Sequence, residues 1–179
     1  MNNQQQIEIP LSKTKMTRTF IGSIIFVILG VWFLVNPPEL NNPILGNSVV
    51  IYVIGLLSIV FFGFIGIMIF RKLFDKKAGL IINQDGIIDN TSGLSIGFIP
   101  WSEIQEISST QVMNQKFISI VLKNPEAFME KISNPIQKNA MKMNYKTSDS
   151  PISISSNALK TDFNKLFNLL KEKMNEYKS

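Results

Sequence analysis

Two long stretches of this chain contain no charged residue, and they restrict its fold more than any other feature. The first runs from Phe20 to Val35 (FIGSIIFVILGVWFLV), extended by Thr19, and the second from Val49 to Phe70 (VVIYVIGLLSIVFFGFIGIMIF). A hydrocarbon layer of about 30 Å needs roughly 20 helical residues at about 1.5 Å each. The second stretch therefore spans comfortably, and the first spans with help from its flanks or slight bilayer thinning. A helix apolar on every face has no water-facing side, so both read as membrane spans. The mean hydropathy of +0.17 hides this, because the apolar residues are concentrated in two blocks.

A cleavable signal peptide is the competing reading of the first block. It fits poorly: the run ends in Asn36-Pro37-Pro38 instead of a small-x-small site, and a second apolar block follows closely. Charge then sets the orientation. Lys13, Lys15 and Arg18 precede the first block, Arg71, Lys72, Lys76 and Lys77 follow the second, and the loop 36–48 holds only Glu39 among its prolines Pro37, Pro38 and Pro43. By the positive-inside rule both termini are cytoplasmic and the loop faces out. The same seven basic residues are the expected contacts with anionic lipid headgroups, each contributing about 1 kcal/mol near such a surface.

The implied organisation is a cytoplasmic segment at 1–18, a transmembrane hairpin at 19–71 with helices at about 19–36 and 48–71, and a cytoplasmic domain at 78–179. Gly22 and Gly30 on the first helix and Gly55 and Gly63 on the second share an eight-residue spacing, close to two turns, with Ser58 and Gly66 nearby. Small residues let helix backbones approach, so these glycines predict a packing seam within the hairpin or between copies in a homo-oligomer. No Asp, Glu, Lys or Arg lies inside either span, which gives no hint of an ion or proton path.

After the basic junction, short β-branched runs alternate with turn residues. Gly79–Ile82 leads to Asn83-Gln84-Asp85-Gly86, and Gly86–Asp89 leads to Asn90-Thr91-Ser92-Gly93, which predicts meandering antiparallel strands. Ser95–Ile99 is a third strand ended by Pro100. Ile104, Ile107 and Val112 suggest a strand or bulged continuation after Trp101, and Phe117–Leu122 is another strand. Asn124-Pro125 and Asn134-Pro135 each supply a cap and a first-turn proline, starting helices over 127–132 and to about Lys146. Pro151–Ser155 alternates as a short strand. Phe163, Leu166, Phe167, Leu170, Met174 and Tyr177 recur at helical spacing, which predicts a C-terminal amphipathic helix capped by Thr161 with Asp162 in its first turn. The fold class is thus α+β.

The segment Gly86-Ile87-Ile88-Asp89, a Ser/Gly turn, then Gly97-Phe98-Ile99-Pro100-Trp101-Ser102-Glu103-Ile104 resembles bacterial pleckstrin-homology-like domains. Those domains share a Gly-containing strand, a short turn, an Ile-x-Trp-x-x-Ile segment and a closing C-terminal helix. The whole chain resembles a family of uncharacterised two-helix bacterial inner-membrane proteins carrying such a domain, most specifically over 79–104 and 151–155. That resemblance implies a multi-pass protein of the bacterial cytoplasmic (inner) membrane and brings no catalytic residue and no cofactor with it. The stretch 125–146 departs from a minimal pleckstrin-like barrel.

The chemistry on offer is limited. With no cysteine and no histidine there are no disulfides, no thiolate or imidazole metal ligands and no thiol nucleophile. Ser92, Ser95, Ser108, Ser109, Ser155 and Ser156 have no histidine to activate them, and no phosphate-cradling glycine loop occurs. Asp85 and Asp89 sit where turns favour aspartate, so they read as turn residues more than as a carboxylate pair with Glu103 and Glu106. Trp101, between Phe98 and Ile104, reads as a core anchor.

The net charge of +5 points away from nucleic acid once its location is considered. Residues 1–77 carry seven Lys/Arg against three Asp/Glu, whereas 78–179 carry eleven against ten. Within the domain, Lys138, Lys142 and Lys146 stand four apart and stack on one helix face, a stripe able to meet anionic lipid or an acidic protein. The expected function is a non-enzymatic interaction module held at the membrane surface, binding lipid or a protein. The alternative is an immunity or stress protein whose hairpin neutralises a membrane-active toxin. An enzyme acting on lipid is a third, weaker reading.

Overall fold

The computed structural model describes residues 6–38, 42 and 46–178; Glu39 and Pro43 of the connecting loop lie outside the described residues. The chain forms two compact units. One is Lys13–Asp75, and the other joins Met1–Ser12 to Lys76–Ser179. In chain order the described elements are β1 (Ile7–Ile9), α1 (Lys13–Val35), α2 (Ser48–Leu73), β2 (Leu80–Ile82), β3 (Gly86–Asp89) and β4 (Gly97–Pro100). A turn of 3₁₀-helix at Trp101–Glu103 leads to β5 (Ile104–Val112) and β6 (Gln115–Leu122). Then come α3 (Pro125–Glu130), α4 (Pro135–Ser148), β7 (Ile152–Ile154) and α5 (Phe163–Lys178).

The helical unit is an antiparallel pair. Both helices are long and apolar enough to cross a membrane, and only 11% of each apolar window is buried. Asn47 caps α2 by accepting from the Val49 N–H at 2.9 Å. The first helix starts at Lys13, six residues before the apolar run. Its polar first turn is held by the Lys13 ammonium, which donates to the carbonyls of Lys72 (3.3 Å) and Asp75 (2.6 Å) at the end of α2. A cation on the last carbonyls of a helix satisfies groups that have no partner within it.

The other unit is built on two antiparallel sheets, β1-β2-β3-β4 and β5-β6-β7. The expected strands at 79–82, 86–89, 95–99, 117–122 and 151–155 are present with small shifts in their ends, and the strand after Trp101 carries a bulge between Ile104 and Glu106. One strand is new. Within the expected lead-in 1–18, the described residues 7–12 belong to the sheet domain, because Ile7, Glu8 and Ile9 pair with Ile82, Ile81 and Leu80. The run continues past the strand, with Leu11 bridging Leu159 and the Ser12 N–H donating to the Ala158 carbonyl at 2.7 Å. Apolar hairpin α1–α2 is therefore an insertion between two neighbouring strands of one sheet.

Alternation along the strands builds the core. Leu80 and Ile82, Ile87, Ile99, Ile104 and Ile107, Ile118 and Ile120, and Ile152 and Ile154 are all fully buried. Helix α5 packs on β5 and β6 through the buried Leu166 and Leu170. Trp101 is buried, donates from Nε1 to the Asn83 carbonyl at 2.8 Å, and lies 6.0 Å from the Tyr177 ring. Its role is to lock the start of the second sheet to the end of α5. Two glycines are required by close approach. A Cβ on Gly79 would collide with Leu159 and Leu11, and one on Gly86 with the Ile99 carbonyl across the ladder.

The caps of α3 and α4 form as expected: Asn124 accepts from the Ala127 N–H, Asn134 accepts from those of Ile136 and Gln137, and Pro125 and Pro135 open the helices. The cap of α5 is Asp162 instead of Thr161. Its carboxylate accepts from the Lys165 N–H at 2.9 Å, the N3 position for a cap at 162, while the Thr161 hydroxyl faces the Asp162 carbonyl at 3.4 Å. The Lys165 backbone hydrogen bond, more than the Lys165 charge, holds the Asp162 carboxyl below its ordinary 3.8. A lowered carboxyl pKa stabilises the fold above the unfolded value, and that contribution is lost as pH falls through the folded one. Acid titration followed by amide exchange at 163–166 should show α5 fraying below pH 4 in the native chain. In Asp162→Ala the first turn should fray at neutral pH too, with the acid dependence gone.

Candidate functional site

Helix α4 borders a cleft on one face and carries a row of lysines on another. One face closes a cleft of about 250 Å³ against the β3–β4 turn and the β6–β7 region. From α4 come Gln137, Ala140, Met141 and Asn144, which recur at helical spacing on one side. The turn supplies Asp89, Ser92, Leu94, Ser95 and Ile96, and the second sheet supplies Phe117, Ile152 and Ser153. Gln137 ties the walls together, donating from Nε2 to the Ser95 carbonyl at 2.7 Å. At the far end the buried Ser150 hydroxyl donates to the Ile120 carbonyl at 2.7 Å, fixing the chain where α4 passes into β7.

The polar lining of this cleft consists of hydroxyls, amides and a single carboxylate. Its one carboxylate, Asp89, accepts from the Thr91 N–H at 2.9 Å and the Thr91 hydroxyl at 2.7 Å, the turn role expected of it. In the β2–β3 turn it is the Asn83 side chain that makes the turn bonds, accepting from the N–H groups of Asp85 at 3.0 Å and Gly86 at 3.1 Å. Glu103 pairs with Lys131 at 3.2 Å and does not line the cleft. No Lys or Arg lines the cleft, so it has hydroxyl and amide groups for a small neutral polar ligand but no cation for a phosphate.

Cations instead occupy the outer face of α4. Lys142 and Lys146 are exposed and Lys138 is half-buried, with the exposed Ile136 and Met143 beside them. Helix α4 contains no acidic residue. At about 100° per residue, Ile136 and Met143 lie within about 20° of each other, Lys146 and Lys142 follow about 60–120° round on the side away from the cleft, and Lys138 lies nearly opposite the apolar pair.

The basic residues flanking the apolar blocks do not form one uniform set. Lys13 is engaged by the α2 carbonyls, and Lys72 forms an ion pair with Asp75 at 2.9 Å. Lys15 is half-buried; Arg18, Arg71, Lys76 and Lys77 are exposed.

The glycine spacing needs correction. A Cβ on Gly30 would lie 2.8 Å from the Gly55 carbonyl, and one on Gly55 would lie 2.8 Å from the Gly30 carbonyl, so this pair forms the seam. Gly22 and Gly63 have open space where a Cβ would stand. Eight residues advance a helix about 800°, which leaves paired glycines roughly 80° apart. The seam follows closer repeats: Ser23 and Gly30 are seven apart, Gly55 and Gly66 eleven apart, and Ser23 meets Gly66. Ser58 adds a hydroxyl donor to the Phe26 carbonyl at 2.9 Å, and Phe26 stacks on Phe62 at 4.2 Å.

Comparison with family models, with curated proteins and with solved structures finds no match to this chain.

Proposed function

We propose that the chain is a two-pass protein of the bacterial cytoplasmic membrane, with both termini inside. In this reading its pleckstrin-homology-like domain is a non-enzymatic module that recognises lipid or a protein partner at the inner surface. The observation that carries the anchor is the sleeve of exposed large apolar side chains on α1–α2. Ile28 and Trp32 are about 60% exposed, as are Leu57, Val60, Phe61 and Ile67. Isolated apolar residues are ordinary on soluble surfaces, but a continuous sleeve is not, and hydrocarbon satisfies it.

The strand insertion supports an even number of crossings. Antiparallel neighbours β1 and β2 require the chain to leave and return at the same end of the sheet, so both ends of the hairpin belong on one side. The same strand weighs against a cleaved leader, since cleavage after α1 would remove β1 from its sheet. The basic flanks favour the inner side. The four-plus-three sheet arrangement followed by a terminal helix supports the pleckstrin-like assignment. The glycine cue for toxin neutralisation is reduced to Gly22 and Gly63, because Gly30 and Gly55 are engaged within the hairpin.

The native chain has no cysteine, so each introduced one reports alone. An impermeant maleimide should label Asn42→Cys on intact cells, and should label Gln6→Cys and Asn168→Cys only after permeabilisation. The reverse pattern would overturn the orientation, and recovery of the chain in a detergent-free soluble fraction would overturn the anchor.

A further inference from the structure

The hairpin explains how the chain is held to a bilayer, but it leaves α4 with an outer face that nothing in the domain covers. We propose that α4 is a second membrane-docking element selective for anionic lipid. In the docked state Lys142 and Lys146 lie among the headgroups while Ile136 and Met143 enter the boundary with the acyl chains. The proposal rests on the reading of α1–α2 as a membrane anchor.

Three observations favour a bilayer over other occupants. First, Ile136 is 55% and Met143 70% exposed, although the domain buries most of its other large apolar residues. They share one line along the helix, with Lys146 about 60–80° and Lys142 about 100–120° round from it, so the outer face is apolar on one flank and basic on the other, the layout of a helix lying in a membrane interface. Second, the charge is of one sign. No acidic residue occurs in α4, whose first carboxylate is Asp149 at the left-handed C-cap (φ 52°). Among the described residues no ion pair involves Lys138, Lys142 or Lys146. Third, the cleft on the opposite face has no cation, so an anionic surface has only the outer face of this element to meet.

The apolar contact is small, two side chains, and would not hold a free domain on a membrane. Tethering changes that, because a surface already within reach is presented at high effective concentration. Each lysine near anionic lipid should raise the docked-to-undocked ratio about fivefold, and the effect should fade as salt shortens the screening length from about 10 Å at 0.1 M to about 3 Å at 1 M.

The test uses the full chain reconstituted in phosphatidylcholine vesicles with and without phosphatidylserine. A polarity-sensitive nitrobenzoxadiazole label is placed on Asn139→Cys, exposed at the centre of the outer face, and on Asn168→Cys of α5 as control. The expected result is a blue-shifted, quencher-protected Asn139 label only in phosphatidylserine vesicles. The shift should be reversed by 1 M salt and weakened about 25-fold in docking ratio by the double change Lys142→Gln and Lys146→Gln. The Asn168 label should stay in water throughout. An Asn139 label that stays in water while the hairpin is integrated would overturn the proposal and leave the anchor standing. Equal shielding in neutral vesicles or in detergent would overturn it in favour of a protein contact. Failure of the chain to integrate would overturn the anchor reading and this proposal with it.

Discussion

Deleting residues 2–9 from the full chain is expected to leave the hairpin in the membrane fraction and unfold a domain whose remaining strands lie beyond residue 79. The deletion removes β1, whose Ile9 is buried and pairs with Leu80, and whose carbonyl accepts from the Gly79 N–H at 2.9 Å. It also frees the next stretch, where Leu11 is 3% exposed and the Pro10 carbonyl accepts from the Lys160 N–H at 2.9 Å. Truncating one such buried aliphatic residue costs about 2–5 kcal/mol, and a domain of ordinary stability has only about 5–15 kcal/mol to lose. Limited proteolysis of native membranes should leave a resistant C-terminal fragment, held in place by its pairing with β1, in the wild type and none in the deletion. Leu11→Ala should fall between them. A deletion variant as resistant as the wild type would show that β1 is dispensable to the sheet.

The second large effect concerns the seam of the hairpin. Gly30→Val and Gly55→Val each push a branched side chain against a carbonyl of the facing helix, and a backbone atom cannot turn away as a side-chain end can. Overpacking of this kind typically costs about 1–3 kcal/mol and more where neighbours cannot yield. In a hairpin held chiefly by close packing, with the Ser58 and Lys13 hydrogen bonds beside it, that separates the helices. Gly22→Val and Gly63→Val should stay within about 0.5 kcal/mol of wild type, because nothing stands where their Cβ atoms would go. Thermal unfolding in detergent, monitored by helix content and by quenching between labels on α1 and α2, separates the pairs. Equal loss in all four variants would mean that glycine matters here through backbone flexibility instead of approach.

These two predictions also mark where the sequence was readable. Strands β2 to β7 announced themselves because β-branched runs met Asn, Asp and Gly at turns, and α3 and α4 did so through their Asn-Pro starts. Strand β1 gave no such signal. Ile7-Glu8-Ile9 is three residues long, its partner is more than seventy positions away, and the basic turn after it looked like the edge of a membrane span. The start of α1 was hidden for a related reason, since Lys13 joins the helix through carbonyls at the end of α2 and not through any local apolar pattern. The seam is partly visible in the sequence: Gly30, Gly55 and the nearby Gly66 stand out, but the eight-residue repeat does not keep a helix face aligned, and the seven- and eleven-residue spacings that do are the ones that bring in Ser23. Thr161 was chosen as a cap over its neighbour Asp162 because both residue types suit the position, and only the backbone decides between them. The cleft could not be read at all, since it depends on where α4 folds back over the β3–β4 turn.

A sheet interrupted by a long apolar hairpin has a consequence for how the molecule is made. A ribosome delivers Ile7–Ile9 first and the strand it needs only after the intervening helices, a wait of several seconds at about 5–20 residues per second. During that interval the first strand has an open edge and no mate. If the helices thread the bilayer twice, the two strands reunite in one compartment. If they thread it once, a lipid wall separates them and the domain stays open to proteases, so completion of the fold is itself a check on correct insertion.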